Sequence, residues 1–235
     1  MDTRLLLISN STNAGEEYLA YPMGEIGKFL RGVKAVRFIP YAAVTFSYDE
    51  YEAKVQRRFD GLGIKVESLH RFTDPKGAVQ SAEALVVGGG NTWCLLRKMQ
   101  EFGLLPVVRA RVAAGMPYVG WSAGSNVACP TIKTTNDMPI VEPSGFEAFG
   151  LVPFQINPHY LDANPAGHAG ETREDRIREF MVENPSVWVV GLREGTMLRK
   201  EGSDLQLIGG CPARIFRQGE PPREVNPGDD LRFLF

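Results

Sequence analysis

The chain has 235 residues, of which 43% are hydrophobic and 23% charged, with a formal net charge of −2. These values describe an ordinary globular protein, expected as a single domain over residues 1–235. There is no broad basic field, so neither nucleic acid nor an anionic membrane is an expected partner, and an acidic substrate would need local arginines to hold it.

Cys94, Cys129 and Cys211 are odd in number and far apart, with no CxxC. A disulfide framework and a zinc site are therefore not expected, and no metal or other cofactor is expected. The apolar run Leu5 to Ile8 is too short for a signal-peptide core, and no run approaches the roughly 20 apolar residues of a membrane helix. The expectation is a cytoplasmic protein.

In chain order, Leu5–Ser9, Ala35–Ile39, Ile64–Leu69, Ala84–Val87 and Tyr118–Gly120 are short apolar runs bounded by polar or Gly/Pro residues. Segments with helical spacing lie between them, at Tyr48–Phe59, Thr92–Gln100 and Val107–Ala114. Continuous apolar strands separated by helices predict an α/β fold, with a mostly parallel sheet and helices on both faces. After Gln155–Tyr160 the pattern changes. A helix is predicted over Thr172–Asn184. Four short strands follow, at Val187–Leu192, Thr196–Arg199, Leu205–Ile208 and Ala213–Arg217, predicted as a small antiparallel C-terminal extension. Ligands of such sheets bind beyond the carboxyl ends of the strands. Three loops there are unusual: Asn10–Gly15, Gly88–Asn91 and Gly120–Ser125.

Gly120-Trp121-Ser122-Ala123-Gly124 fits G-x-S-x-G in a strand–turn–helix context. A tight turn lifts the Ser122 hydroxyl to the top of the sheet. The helix N-terminus offers backbone N–H groups to a developing oxyanion, with Ala123 the first donor. The plainer alternative is a glycine-flanked serine acting as a helix cap. Gly88-Gly89-Gly90-Asn91-Thr92 also follows a strand. It lacks the remaining glycine of a dinucleotide loop and the Lys of a Walker loop. Gly90 is the better candidate for a second oxyanion donor.

A serine nucleophile needs a base. The only histidines are His70, His159 and His168. His159 ends an apolar run and is preferred, His70 is the weaker rival, and His168 lies in a glycine-rich loop. Either Glu194 or Asp137 is a candidate to orient His159. On the predicted C-terminal helix, Arg173 and Arg176 fall on the same stripe as Ile177, Phe180 and Met181 at ~100° per residue. Inward arginines need a carboxylate, from the protein or from a substrate. Asn91, Arg173 and Arg176 are the candidate substrate-binding residues.

The segment from Gly120 to Val141, GWSAGSNVACPTIKTTNDMPIV, resembles the peptidase E family of serine peptidases, the alpha-aspartyl dipeptidases. VGGGNT at Val87–Thr92, QINPH at Gln155–His159, GHAGETRE at Gly167–Glu174 and the stretch Ile8-Ser9-Asn10-Ser11-Thr12 are similar as well. The likeness runs from about residue 5 to about residue 195. It implies a fold like that of class I glutamine amidotransferases and metal-free hydrolysis of Asp-X dipeptides through an acyl-enzyme. On this resemblance Ser122 is the nucleophile, His159 the base, and Gly90 and Ala123 the oxyanion donors. Arg173 matches an arginine that receives the aspartate side chain. Glu194 matches the third triad member, with Asp137 as the competing assignment. Ser125 replaces an alanine common in the family.

The partner implied is a small acidic peptide. The oligomeric state is left open, a homodimer included. A cyanophycinase-like hydrolase and a non-catalytic sensor of acidic metabolites are the rival functions.

Overall fold

The structure is a computed structural model, and it describes all residues except Met1, Asp2, Pro165 and His168. The candidate base His168 thus lies outside the described residues.

Five parallel strands, β1 (Arg4–Ile8), β2 (Ala35–Ile39), β3 (Lys65–Ser68), β4 (Leu85–Val87) and β5 (Tyr118–Trp121), form the body of a seven-stranded sheet. Its order is β3-β2-β4-β5-β1, extended at β1 by an antiparallel hairpin of β8 (Thr196–Glu201) and β9 (Asp204–Gly209). Consecutive residues of these strands point to opposite faces, and both faces are covered. Leu5, Leu7, Leu85, Val87 and Tyr118 pack on one side. Leu6, Ile8, Val36, Phe38, Val86, Val119 and Trp121 pack on the other. That is why β1, β4 and β5 read as nearly continuous apolar runs, whereas Arg37 interrupts β2 and the edge strand β3 alternates polar with apolar residues.

The first face is covered by α3 (Pro75–Gln80), α4 (Thr92–Glu101), α5 (Leu104–Ala113) and the short α6 (Ala123–Asn126), through residues such as Val79, Leu96, Val108 and Ala123. The second face is covered by α1 (Met23–Phe29) and α2 (Tyr48–Phe59), through Ile26, Phe29, Val55 and Phe59. A capping box of Ser47 and Glu50 starts α2, and one of Thr172 and Asp175 starts α7 (Arg173–Glu183). Helix α6 lies very close to β4: a side chain at Gly124 would put its Cβ 2.2 Å from the Val87 carbonyl oxygen.

The strands after residue 150 do not form one meander. Only β8 and β9 join the main sheet. β6 (Gln155–Tyr160), β7 (Val189–Arg193), β10 (Ala213–Phe216) and β11 (Arg223–Val225) form a second sheet in the order β11-β10-β7-β6. Here β6 and β7 are parallel and the other pairs antiparallel. The division follows from burial. Ile156, Val190, Leu192, Ala213 and Ile215 join the main core, while Tyr160, Val189 and Phe216 pack under Ile177 and Met181 of α7.

At the end of β7 the Arg193 guanidinium bonds Asp162 (2.6 and 2.9 Å), Glu224 on β11 (2.7 and 3.0 Å) and the Pro212 carbonyl (2.6 Å). Hydrogen bonding to Arg193 is the main cause holding both carboxyls below their ordinary values.

Two outcomes test this arrangement. Gly124→Ala should overpack α6 against β4 and cost about 3 kcal/mol, read as a Tm lowered by roughly 6–12 °C. An unchanged Tm would mean the contact is absent. The second concerns pH. Depressed carboxyl pKa values stabilise the fold above the unfolded value and cease to do so as pH falls through the folded value. The Tm gap between wild type and Arg193→Met should be widest near neutrality and shrink below about pH 4. A gap independent of pH would contradict the network.

Candidate active site

The three unusual loops leave the carboxyl ends of β1, β4 and β5, which lie close together in the order β4-β5-β1. Ser122 follows β5 with φ +52° and ψ −113°, a conformation that L-residues rarely adopt. Holding it costs on the order of 1–3 kcal/mol, supplied by the surrounding structure. Ser122 N–H donates to the Ile8 carbonyl at 3.0 Å. The Ser125 hydroxyl lies 2.7 Å from that same oxygen and 2.9 Å from Gly120 O. Ser125 therefore sits, fully buried, beneath the turn that carries Ser122.

His159 Nε2 lies 3.0 Å from Ser122 Oγ, and His159 Nδ1 lies 2.6 Å from Glu194 Oε1. A carboxylate only accepts, so the Nδ1 proton faces Glu194 and Nε2 is left to accept from the serine. His159 is the penultimate residue of β6, and Glu194 occupies the turn between β7 and β8. The chain Ser122–His159–Glu194 therefore joins the two sheets. His159 also has a positive φ, +53°.

The alternatives are engaged elsewhere. Asp137 accepts from Thr92 N–H (2.8 Å), Thr92 Oγ1 (2.6 Å) and Thr135 Oγ1 (3.0 Å), holding the 134–138 loop on the start of α4 rather than touching His159. His70 is hydrogen-bonded to Ser68 and Asp49 just beyond β3, at the far edge of the sheet from β1. The order of the strands, invisible in the sequence, removes it from Ser122.

Neither Gly90 N–H nor Ala123 N–H donates a hydrogen bond among the described residues. Ala123 lines the cleft over Ser122. The glycine loop lies against Ser122, because a Cβ on Gly89 would fall 3.0 Å from Ser122 Cβ. Gly90 has φ +132°, and a Cβ there would strike the Ala42 carbonyl at 2.3 Å, so only glycine fits. Tyr51 steadies this loop: its hydroxyl donates to Gly89 O (2.9 Å) and accepts from Trp121 Nε1 (3.2 Å). No local pattern marked Tyr51, whose bonds span 38 and 70 residues.

The cleft has a volume of about 350 Å³, and Thr92, Thr135, Asn136, Asp137, Pro158, Leu161 and Arg173 complete its wall around Ser122, His159 and Glu194. Of the three candidate substrate-binding residues, only Arg173 lines it. Asn91 caps α4, accepting from Cys94 N–H (3.0 Å) and donating one hydrogen to Met138 O (2.9 Å), and it is not among the residues that line the cleft. Arg176 is exposed and faces Glu171 at 3.7 Å. The expected stripe was too wide. α7 buries only Ile177 and Met181, and Glu174 takes the adjoining inward position, paired with Arg214 at 3.0 Å.

Arg173 makes no ion pair among the described residues. Burial, then the Arg176 cation, push its guanidinium pKa down, while Asp137 partly offsets them. The cleft thus presents a half-buried, undercompensated positive charge beside a serine hydroxyl. The arrangement can accept an anionic group and carry out acyl transfer at a neighbouring carbonyl. A larger cavity of about 720 Å³, lined by Thr3, Leu151, Lys200 and Phe235 among others, shares none of these residues.

Known proteins agree with this reading of the fold. The model of peptidase family S51 matches residues 5–208. A peptidase E of Nostoc sp. is 52% identical over 235 residues, covering 100% of this chain and 97% of that one. A peptidase E of Salmonella typhimurium is 48% identical over 224 residues, covering 95% and 98%. The crystal structure of a peptidase from an acI-B1 Actinobacterium superposes with a TM-score of 0.72 at 19% identity, covering 97% of this chain and 96% of that one, which shows the fold alone. Among the described residues no helix is long and apolar enough to cross a membrane. With the family model spanning most of its length and two relatives near half identity over nearly all of it, this chain belongs to peptidase family S51.

Proposed function

We propose that this peptidase is a serine dipeptidase that hydrolyses dipeptides with an N-terminal aspartate. The observation that carries the reading is the hydrogen-bonded chain Ser122–His159–Glu194, at 3.0 and 2.6 Å, in one cleft with the undercompensated Arg173. The relatives named peptidase E add to it.

In the proposed reaction Arg173 holds the aspartate side-chain carboxylate, and the scissile carbonyl lies over Ser122. His159 Nε2 takes the hydroxyl proton as Oγ bonds to the carbonyl carbon. The negative charge moves to the carbonyl oxygen, where Gly90 and Ala123 N–H groups receive it. Glu194 stabilises the imidazolium. The C–N bond then breaks, and His159 passes its proton to the leaving amine. Water, deprotonated by the same imidazole, attacks the ester, and collapse returns the proton to Ser122 and releases aspartate. Every proton removed is given back, so no further reactant is needed.

Ser122→Ala should keep a Tm within a few degrees of wild type and lose on the order of 10⁴-fold or more in kcat on Asp-Leu. Wild-type-like turnover would refute the nucleophile. Arg173→Met should raise KM for Asp-Leu by about 10–100-fold, the worth of a charge-assisted hydrogen-bond pair, with little change for Ala-Leu. Equal effects on both substrates would remove Arg173 from the aspartate pocket. Release of β-Asp-Arg from an aspartate-backbone polymer, with Asp-Leu left intact, would give the site to a cyanophycinase-like activity. Ligand binding with no fluorophosphonate labelling of Ser122 would make it a sensor.

A further inference from the structure

His159 stands at an irregularity of β6. The β6–β7 ladder pairs Pro158 with Leu192 and Tyr160 with Arg193, passing over His159. A bulged residue loses its rung, and its N–H must find another acceptor. That acceptor is Ser9 Oγ, 3.0 Å from His159 N. The same hydroxyl donates to the Leu192 carbonyl at 2.7 Å. Ser9 is fully buried and follows β1, which belongs to the other sheet. One hydroxyl from the main sheet thus substitutes for the missing rung of the smaller one. It does so at the residue whose positive φ aims the imidazole at Ser122.

Asn10 serves the opposite end of the triad. Its Oδ1 accepts from Gly195 N–H at 2.9 Å, in the turn that carries Glu194. Its Nδ2 donates to Thr12 O and Asn13 Oδ1, both at 2.9 Å. The Tyr21 hydroxyl lies 2.7 Å from Asn10 Oδ1. Burial pushes the Tyr21 phenol well above its ordinary value, so it remains a donor. Asn10 is fully buried and every polar atom of its side chain is engaged.

We propose that Ser9 and Asn10 are positioning residues. Ser9 sets His159 through the N–H at the bulge, and Asn10 sets Glu194 through the N–H of Gly195. The plainer alternative is that both merely satisfy buried polar backbone and contribute only stability. The two roles separate experimentally, because a displacement of ~1 Å in a catalytic group costs up to about 100-fold in rate without necessarily altering substrate binding.

The test compares Ser9→Ala, Ser9→Thr and Asn10→Leu in the full chain, well below their Tm values. Two readouts are used. One is kcat and KM on Asp-Leu, which rests on the function proposed above. The other is the far-downfield proton resonance of the His159 N–H that faces Glu194, which needs no substrate. Ser9→Ala and Asn10→Leu should lower kcat by about 10–100-fold with KM within about threefold, and should weaken or shift the resonance. Ser9→Thr keeps the hydroxyl and should recover most of both. If Ser9→Ala does not fold, Ser9→Cys carries the same test, since a thiol fills the site but hydrogen-bonds weakly. A folded Ser9→Ala with wild-type kcat and an unmoved resonance would overturn the proposal, as would equal losses in the alanine and threonine variants. Should wild type fail to cleave Asp-Leu, the substrate assignment falls, and the resonance alone decides the role of Ser9 and Asn10.

Discussion

A serine hydroxyl, an imidazole and a carboxylate must meet within hydrogen-bonding distance although they come from two different sheets. Much of what is unusual in this fold follows from that constraint. The serine and the histidine both have positive φ, at +52° and +53°, and neither is glycine. Strained backbone persists only where neighbours over-determine it. Here the neighbours are the carbonyl of Ile8 and the hydroxyl of Ser9, consecutive residues at the end of β1. The last turns of one central strand therefore brace both partners of the central hydrogen bond.

Electrostatics supply the second layer. The hydrogen-bonded chain Ser122–His159–Glu194 is open to solvent on one side: the His159 and Glu194 side chains are 38% and 47% exposed. Selectivity cannot come from enclosure alone. A guanidinium that burial and a neighbouring cation both destabilise gains most from an incoming carboxylate. Asp137, near enough to influence Arg173, is already committed to Thr92 and Thr135. It tempers the charge without neutralising it, which leaves room for an anionic ligand.

The glycines and the buried aromatics belong to the same design. Gly90 lets its loop pass under the Ala42 carbonyl, and Gly124 lets α6 settle onto β4. Tyr51 then bridges Trp121 and Gly89, so the segment after β4 is tied to the last residue of β5. These contacts hold the glycine loop against the turn that carries Ser122.

Most of the fold is legible in the sequence. Apolar runs marked β1, β4 and β5 because both faces of the sheet are buried there, β2 and the edge strand β3 showed as shorter, polar-interrupted runs, and the 3.6-residue spacing marked α2, α4, α5 and α7. G-x-S-x-G and the scarcity of histidine pointed to Ser122 and His159. What local pattern could not carry was anything decided by non-local distance. The choice of Glu194 over Asp137 depends on β7 lying beside β6, and the exclusion of His70 depends on β3 standing at the sheet's far edge. The exposure of Arg176 depends on how narrow a strip of α7 the smaller sheet covers. The sequence by itself determined which chemistry was available, since residue type and local period are properties of neighbours along the chain. Only the tertiary structure decided which groups meet, because contacts such as Ser9 with His159 join residues 150 positions apart and leave no periodic trace.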